Sequence, residues 1–241
     1  MKININKSAN FSKIARFKKN IQFIVIHYTG MQSVRASISR LQNTKSKVSS
    51  HYLIDRNGEI YRIVNDNKVA WHAGKSKWKN YKNLNSYSIG IEIQNRGHSI
   101  KYQKFPSIQI SSLVKLIKML MKKYNIKSQN ILGHSDIAPF RKKDPGEKFP
   151  WEFLSKKGIS IWYNKIKFRN YNLVVKNKRK FFFRNIFKIG YRYFSLSKHS
   201  EKDKMIIRAF QRRFLPKEIS GKLTPKTLII SHLLANKSNS P

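Results

Sequence analysis

The chain has 241 residues, 40% of them hydrophobic, and sets 51 Lys and Arg against 11 Asp and Glu for a formal net charge of +40. That length supports one medium domain with a real core plus a smaller second unit. It contains no cysteine, which excludes disulfides and thiolate metal sites, so any metal must sit on His, Asp or Glu. The basic charge is spread along the chain; it is compatible with a nucleic acid, an anionic polymer or a membrane surface, and equally with compositional drift.

The opening MKININKSANFSKIARFKKN is positively charged but has no apolar run of signal-peptide length, and no later window approaches a membrane span. IQFIVIHY (21–28) is a nearly continuous apolar, β-branched run, the pattern of a strand buried on both faces, and it reaches a histidine near its end. SSHYLID and EIYRIV, joined through Arg56, Asn57 and Gly58, read as a β-hairpin turned at Asn-Gly. YSIGIEIQN (87–95) is another central strand, with Gly90 marking a close approach of neighbouring groups. Residues 107–124 place Ile110, Leu113, Val114, Ile117, Leu120 and Met121 at the spacing of an amphipathic helix. NILGH reads as a short strand leading into GHSDIAPFRKKDPGEKFPW, which holds three of the chain's few acids. After a short helix ending near Lys157 come a basic, aromatic connector and three candidate helices: about Arg179–Gly190, Glu201–Phe214 and Pro225–Leu234. Interspersed strands and helices predict an α+β fold, a mixed central sheet flanked by helices, followed by a small all-α unit.

His27 and His134 each end an apolar strand, and Asp144 follows His134 across a proline-containing loop. A His, His, Asp set leaves a fourth position for water, as catalytic zinc requires, although a strand-end histidine is more often structural and spacing alone does not decide. Hydrolysis also needs a carboxylate base and a donor for the oxyanion. Glu92 sits inside an otherwise apolar strand, where a carboxylate is costly without compensation; it is either salt-bridged or functional. Lys142 lies two residues before Asp144, so a short loop can bring its ammonium beside the metal ligand.

IVIHYTG, SSHYLI, WHAGKSKW, LNSYSIGIEIQNRG and GHSDIAPFRKKDPGEKFPW occur in that order over residues 21–162 and resemble the AmpD and AmiD type N-acetylmuramoyl-L-alanine amidases, which share a fold with the peptidoglycan recognition proteins. The resemblance implies that His27, His134 and Asp144 hold one zinc ion, that Glu92 is the general base and that Lys142 stabilises the tetrahedral intermediate. It places His51, Trp71, His72 and Asn85 near the cleft as substrate contacts, with an aromatic core as the other reading of the first three. Asp136 is expected to orient His134 or its loop, Glu147 and His98 to be exposed. Ser86 departs from the Asp that relatives often carry there, which puts a local contact in doubt. IIRAFQRRFLPKEISGKLTPKTLIISHLL (206–234) more loosely resembles the helical peptidoglycan-binding domain.

The implied organisation is a zinc amidase domain at 1–160, a basic linker at 161–176 and a three-helix peptidoglycan-binding-like domain at 177–241. The implied activity is hydrolysis of the amide between N-acetylmuramic acid, hydrated or 1,6-anhydro, and L-alanine of the stem peptide. The alternatives are a muropeptide-recognition protein that does not cut, and a nucleic-acid binder, for which no module appears. The expected partner is peptidoglycan or muropeptide, with no specific nucleic acid and no transmembrane segment, and the expected state is a monomer. The expected compartment is the cytoplasm, with the cell envelope as the alternative because of the tail.

Overall fold

In a computed structural model of the protein, described for residues 1–14, 16–169, 171 and 173–237, the apolar run of 21–28 supplies an interior strand of a six-stranded sheet, next to its edge. In chain order the strands are β1 (Asn4–Ile5), β2 (Phe11–Ser12), β3 (Phe23–Tyr28), β4 (Tyr52–Ile54), β5 (Ile60–Arg62), β6 (Val69–Ala70), β7 (Lys77–Trp78), β8 (Tyr81–Lys82), β9 (Ser88–Ile93) and β10 (Ile131–Gly133). The helices are α1 (Val34–Gln42), α2 (Ser107–Tyr124), α3 (His134–Ile137), α4 (Trp151–Lys156), α5 (Lys165–Arg169), α6 (Lys178–Ile189), α7 (Asp203–Phe214) and α8 (Pro225–Lys237). The main sheet runs β1-β5-β4-β9-β3-β10, while β2 with β6 and β7 with β8 form two small ribbons.

The sheet is mixed, as the sequence predicts. Strand β3 pairs in parallel with β9 and β10, and β4 pairs in parallel with β9, whereas β4 and β5 form the antiparallel hairpin turned at Asn57-Gly58. Gly58 holds φ +88°, a conformation that side chains other than glycine's disfavour. Parallel strands are covered on both faces, which is why Phe23 to Ile26 and Ile89 to Ile91 read as continuous apolar runs rather than alternating ones.

Helix α2 spans the expected residues but buries Ile110, Leu113, Leu116, Ile117 and Leu120, leaving Val114 and Met121 at the margin. Its outer lysines stay in solvent, and Asn125 ends it in the left-handed conformation. The three C-terminal helices lie where the sequence placed them, within two or three residues at each end. The connector before them is not wholly irregular, because it contains α5; Asn170 and Asn172 fall outside the described residues. The apolar faces of α6, α7 and α8 join the sheet in one continuous cluster that runs from Ile24 and Ile91 through Trp151 and Trp78 to Tyr191, Phe210 and Phe214. The tail thus shares one core with the sheet. No helix among the described residues is long and apolar enough to cross a membrane.

Candidate metal centre and active site

The parallel register decides the site. His27 on β3 lies directly opposite Glu92 on β9, and Gly133, the last residue of β10, lies opposite Ile26, so His134 follows beside His27. All three strands point their carboxyl ends to one place, the position where open sheets with parallel strands present ligand sites. Asp144 returns to it because the Ser135 amide donates to the Asp144 carbonyl at 2.9 Å.

Three acceptor atoms converge there. His27 Nδ1 and His134 Nδ1 are 2.9 Å apart, and Asp144 Oδ2 lies 3.1 and 3.0 Å from them. A tetrahedral ion with bonds of about 2.0–2.1 Å has ligand separations of roughly 3.3 Å, close to these spacings. All three residues are nearly fully buried.

The hydrogen bonds behind the triad fix which imidazole nitrogens face it. His134 Nε2 meets the Ala73 carbonyl at 3.1 Å. A carbonyl only accepts, so Nε2 carries the proton and Nδ1 offers a lone pair. On the other side, the Ser88 hydroxyl donates to the Leu84 carbonyl at 2.6 Å and therefore accepts from His72 Nε2 at 3.3 Å. His72 Nδ1 is then the acceptor for His27 Nε2–H at 3.0 Å, which leaves His27 Nδ1 free as a ligand. Burial first, and the neighbouring His134 second, push His27 down to a pKa of about 4, so it is neutral at physiological pH, as a metal ligand must be. Burial alone would raise Asp144, but His134 and His27 outweigh it and hold its carboxyl far below the usual range.

His72 lines the cleft where a substrate contact is expected of it, and it also stands behind His27. Its ring lies on the bare backbone of Gly90, where a Cβ would come within 2.4 Å, and it links His27 to Ser88. Burial holds its pKa well below the ordinary imidazole value. His72→Phe keeps a flat ring at this position, somewhat larger than imidazole, and removes the acceptor for His27. Metal affinity read by chelator competition is expected to fall about 10- to 100-fold.

Glu92 is raised to a pKa of about 8, chiefly by burial and then by the Asp144 charge, with Lys142 opposing. Its Oε2 is buried without a hydrogen-bond partner. Lys142 shares the cleft and forms no ion pair among the described residues. The cleft, of about 600 Å³, is lined by His27, His134, Asp144, Glu92 and Lys142 together with Trp71.

Two of the expected substrate contacts lie elsewhere. His51 is fully buried, accepting from the Gly90 amide at 2.9 Å and facing the Lys68 carbonyl at 3.1 Å, so it presents nothing to a substrate. Asn85 accepts from the amides of His72 and Ala73 at 3.1 and 2.7 Å and shapes the loop that carries them. His98 and Glu147 are not free surface residues. His98 bonds Tyr28 Oη at 2.9 Å and Glu147 at 3.0 Å, and stacks on Tyr102 at 4.2 Å. Ser88 and Tyr28 are invisible as supporting residues in the sequence, because a hydroxyl beside an apolar run carries no positional signal.

The sequence profile of the N-acetylmuramoyl-L-alanine amidases matches residues 17–147, more than half of the chain and the span that contains all five residues of this centre. The chain belongs to this amidase family. It is 42% identical over 154 residues to N-acetylmuramoyl-L-alanine amidase AmiD of Escherichia coli K12, covering 59% of this chain and 55% of that one. It is 44% identical over 107 residues to 1,6-anhydro-N-acetylmuramyl-L-alanine amidase AmpD of Haemophilus influenzae, covering 44% and 56%. These matches span only about half the length of the curated relatives. In three dimensions the amidase fold extends further. A complex of E. coli AmiD with the substrate anhydro-N-acetylmuramic acid-L-Ala-D-γ-Glu-L-Lys superposes with a TM-score of 0.81 at 30% identity, covering 94% of this chain and 92% of that chain. AmpDH3 of Pseudomonas aeruginosa in complex with anhydromuramic pentapeptide superposes with a TM-score of 0.82 at 30% identity over 95% and 96%. The helical tail of this family member therefore has structural counterparts, beyond the segment that the family profile covers.

Proposed function

We propose that this chain is a zinc-dependent amidase that hydrolyses the amide between N-acetylmuramic acid, in hydrated or 1,6-anhydro form, and L-alanine of a peptidoglycan stem peptide. The convergence of His27 Nδ1, His134 Nδ1 and Asp144 Oδ2 beside the unpartnered carboxylate of Glu92 carries the reading. The donor set suits zinc: two neutral imidazoles with protons fixed on the far nitrogens, one ionised carboxylate, and no thiolate. A cation at the triad also provides the counter-charge that the buried Glu92 otherwise lacks.

When bound, zinc supplies a Lewis acid that polarises the scissile carbonyl and acidifies water. Glu92 takes the proton of the water whose oxygen attacks the carbonyl carbon, and hands it to the amine as the carbon–nitrogen bond breaks. Lys142 offsets negative charge on the carbonyl oxygen. Trp71 offers a flat apolar wall to a sugar or peptide stem. The non-cutting recognition reading has less support, since residues suited to hold zinc and to act as base stand together at one site.

The test uses the full chain loaded with zinc and anhydro-N-acetylmuramic acid-L-Ala-D-γ-Glu-L-Lys, with mass spectrometry of the products. Release of the free tripeptide, abolished by chelation and restored by zinc, is the expected result. Binding without release supports recognition instead, and neither binding nor release overturns both readings. Lys142→Ala is expected to lower kcat about 100-fold with little change in KM, because its charge acts on the transition state more than on the bound substrate.

A further inference from the structure

The paired arginines of the tail motif AFQRRF have no part in the reaction just described, yet Arg213 is buried and Arg212 mostly covered against the catalytic unit. Arg213 on α7, with a side chain only 3% exposed, donates to Asp136 Oδ2 at 2.5 Å and to the Ile131 carbonyl at 3.0 Å. Its guanidinium also lies 4.1 Å from the Trp151 ring centre. Tyr191, which follows α6, donates to the other oxygen of Asp136 at 2.6 Å. Asp136 in turn accepts the Gly133 amide at 2.8 Å, closing the turn on which His134 stands. The preceding residue, Arg212, reaches Glu147 Oε2 at 3.8 Å, three residues beyond Asp144. Glu147 is joined through His98 to Tyr28, next to His27, while Tyr102 Oη donates to the Pro145 carbonyl at 2.7 Å.

We infer that Arg213 and Arg212 are positioning residues: the helical tail clamps the two loops that carry His134 and Asp144 and thereby sets the geometry of the metal centre. A tail that only tethered the protein to a polymer would need no buried ion pair at this point, and burying a guanidinium and a carboxylate is unfavourable unless they are paired and hydrogen-bonded. Here the two terminal nitrogens of one fork-shaped cation meet a carboxylate and a backbone carbonyl at once, which lysine's single ammonium matches poorly, while Nε is buried without a partner. Small displacements of supporting groups are felt at a metal, because ligand orientation depends on the groups behind the ligands.

The inference rests on the zinc reading above, and its test separates the two. Full-length variants are titrated with zinc against a fluorescent chelator and assayed with muropeptide at saturating zinc. Arg213→Met alone strands a buried carboxylate, so it is combined with Asp136→Asn, which removes both charges and keeps an oxygen for the Gly133 amide. The double variant, folded by circular dichroism, is expected to bind zinc about 10- to 100-fold more weakly, with a lower kcat and a KM within about twofold of the parent. Arg212→Met leaves Glu147 on His98 and is expected to weaken zinc by about 3- to 10-fold. Zinc affinity within twofold of the parent in the folded variants overturns the clamp while leaving the amidase reading intact. If the double variant does not fold, Arg212→Met decides alone. A parent chain that binds no zinc overturns both.

Discussion

Glu92→Gln is expected to lose at least about 100-fold in turnover, and more if the same group both takes and returns the proton, while the metal-free protein becomes more stable at pH 8. The two effects share one cause. Glu92 sits inside a strand between Ile91 and Ile93, with one oxygen lacking any partner, and its pKa is raised to about 8 from an ordinary 4.5. The folded metal-free state therefore prefers the protonated acid. That contribution to stability is complete below the unfolded value near 4.5 and is lost as pH rises through about 8. Substituting the neutral amide removes the loss, so the variant gains stability over the parent at pH 8 and nothing at pH 4. Because Glu92 keeps an edge in the cleft, where solvent screens its charge, the gain is on the order of 2 kcal/mol, less than a fully sealed carboxyl would give. Urea titrations of both proteins at the two pH values, after chelation, check it. Equal midpoint differences at pH 4 and pH 8 remove the buried-base account, and parental activity in Glu92→Gln removes the role of base.

Asp144→Asn is the second large effect. The carboxylate is the one charged member of the triad, and it is held ionised by His134 and His27. The amide keeps the shape and loses the charge, so zinc affinity is expected to fall at least about 100-fold. Thermal unfolding reads this without any substrate. Zinc at about 100 times its dissociation constant stabilises the parent by about 2.7 kcal/mol, or roughly 5–10 °C for a chain of this size. The same zinc concentration should leave the variant's midpoint almost unmoved. A parent whose midpoint does not respond to zinc removes the metal assignment, and an equal response in Asp144→Asn removes Asp144 as a ligand.

The elements of this fold are legible because each states its environment locally. Strands β3 and β9 announce burial on both faces by unbroken β-branched runs, the β4–β5 turn by Asn57-Gly58, and α2 by its apolar stripe. The set His27, Glu92, Lys142, His134 and Asp144 comes from motif order rather than from spacing. Supporting groups are harder to read. His72 and Asn85 lie in the motifs that suggest substrate contacts, yet their polar atoms are engaged by His27, Ser88 and backbone amides. His98 and Glu147 carry no local sign of burial, and only the fold brings Tyr28, Tyr102 and Arg212 to them.

The sequence by itself determined the main strands β3, β4, β5, β9 and β10, the helices α2, α4, α6, α7 and α8, and which side chains are chemically equipped to hold a cation and move a proton, but not α1, α5 or the short strands of the edge and the two ribbons. Only the tertiary structure decided that His27 stands across from Glu92, that His72 orients His27, and that Arg213 reaches Asp136. The reason is range: hydrophobic periodicity acts over one turn or one pleat. The Asp136–Arg213 pair spans 77 residues and the His27–Asp144 contact 117, and such pairings exist only once parallel strands have chosen their register and the helices have settled on the shared core.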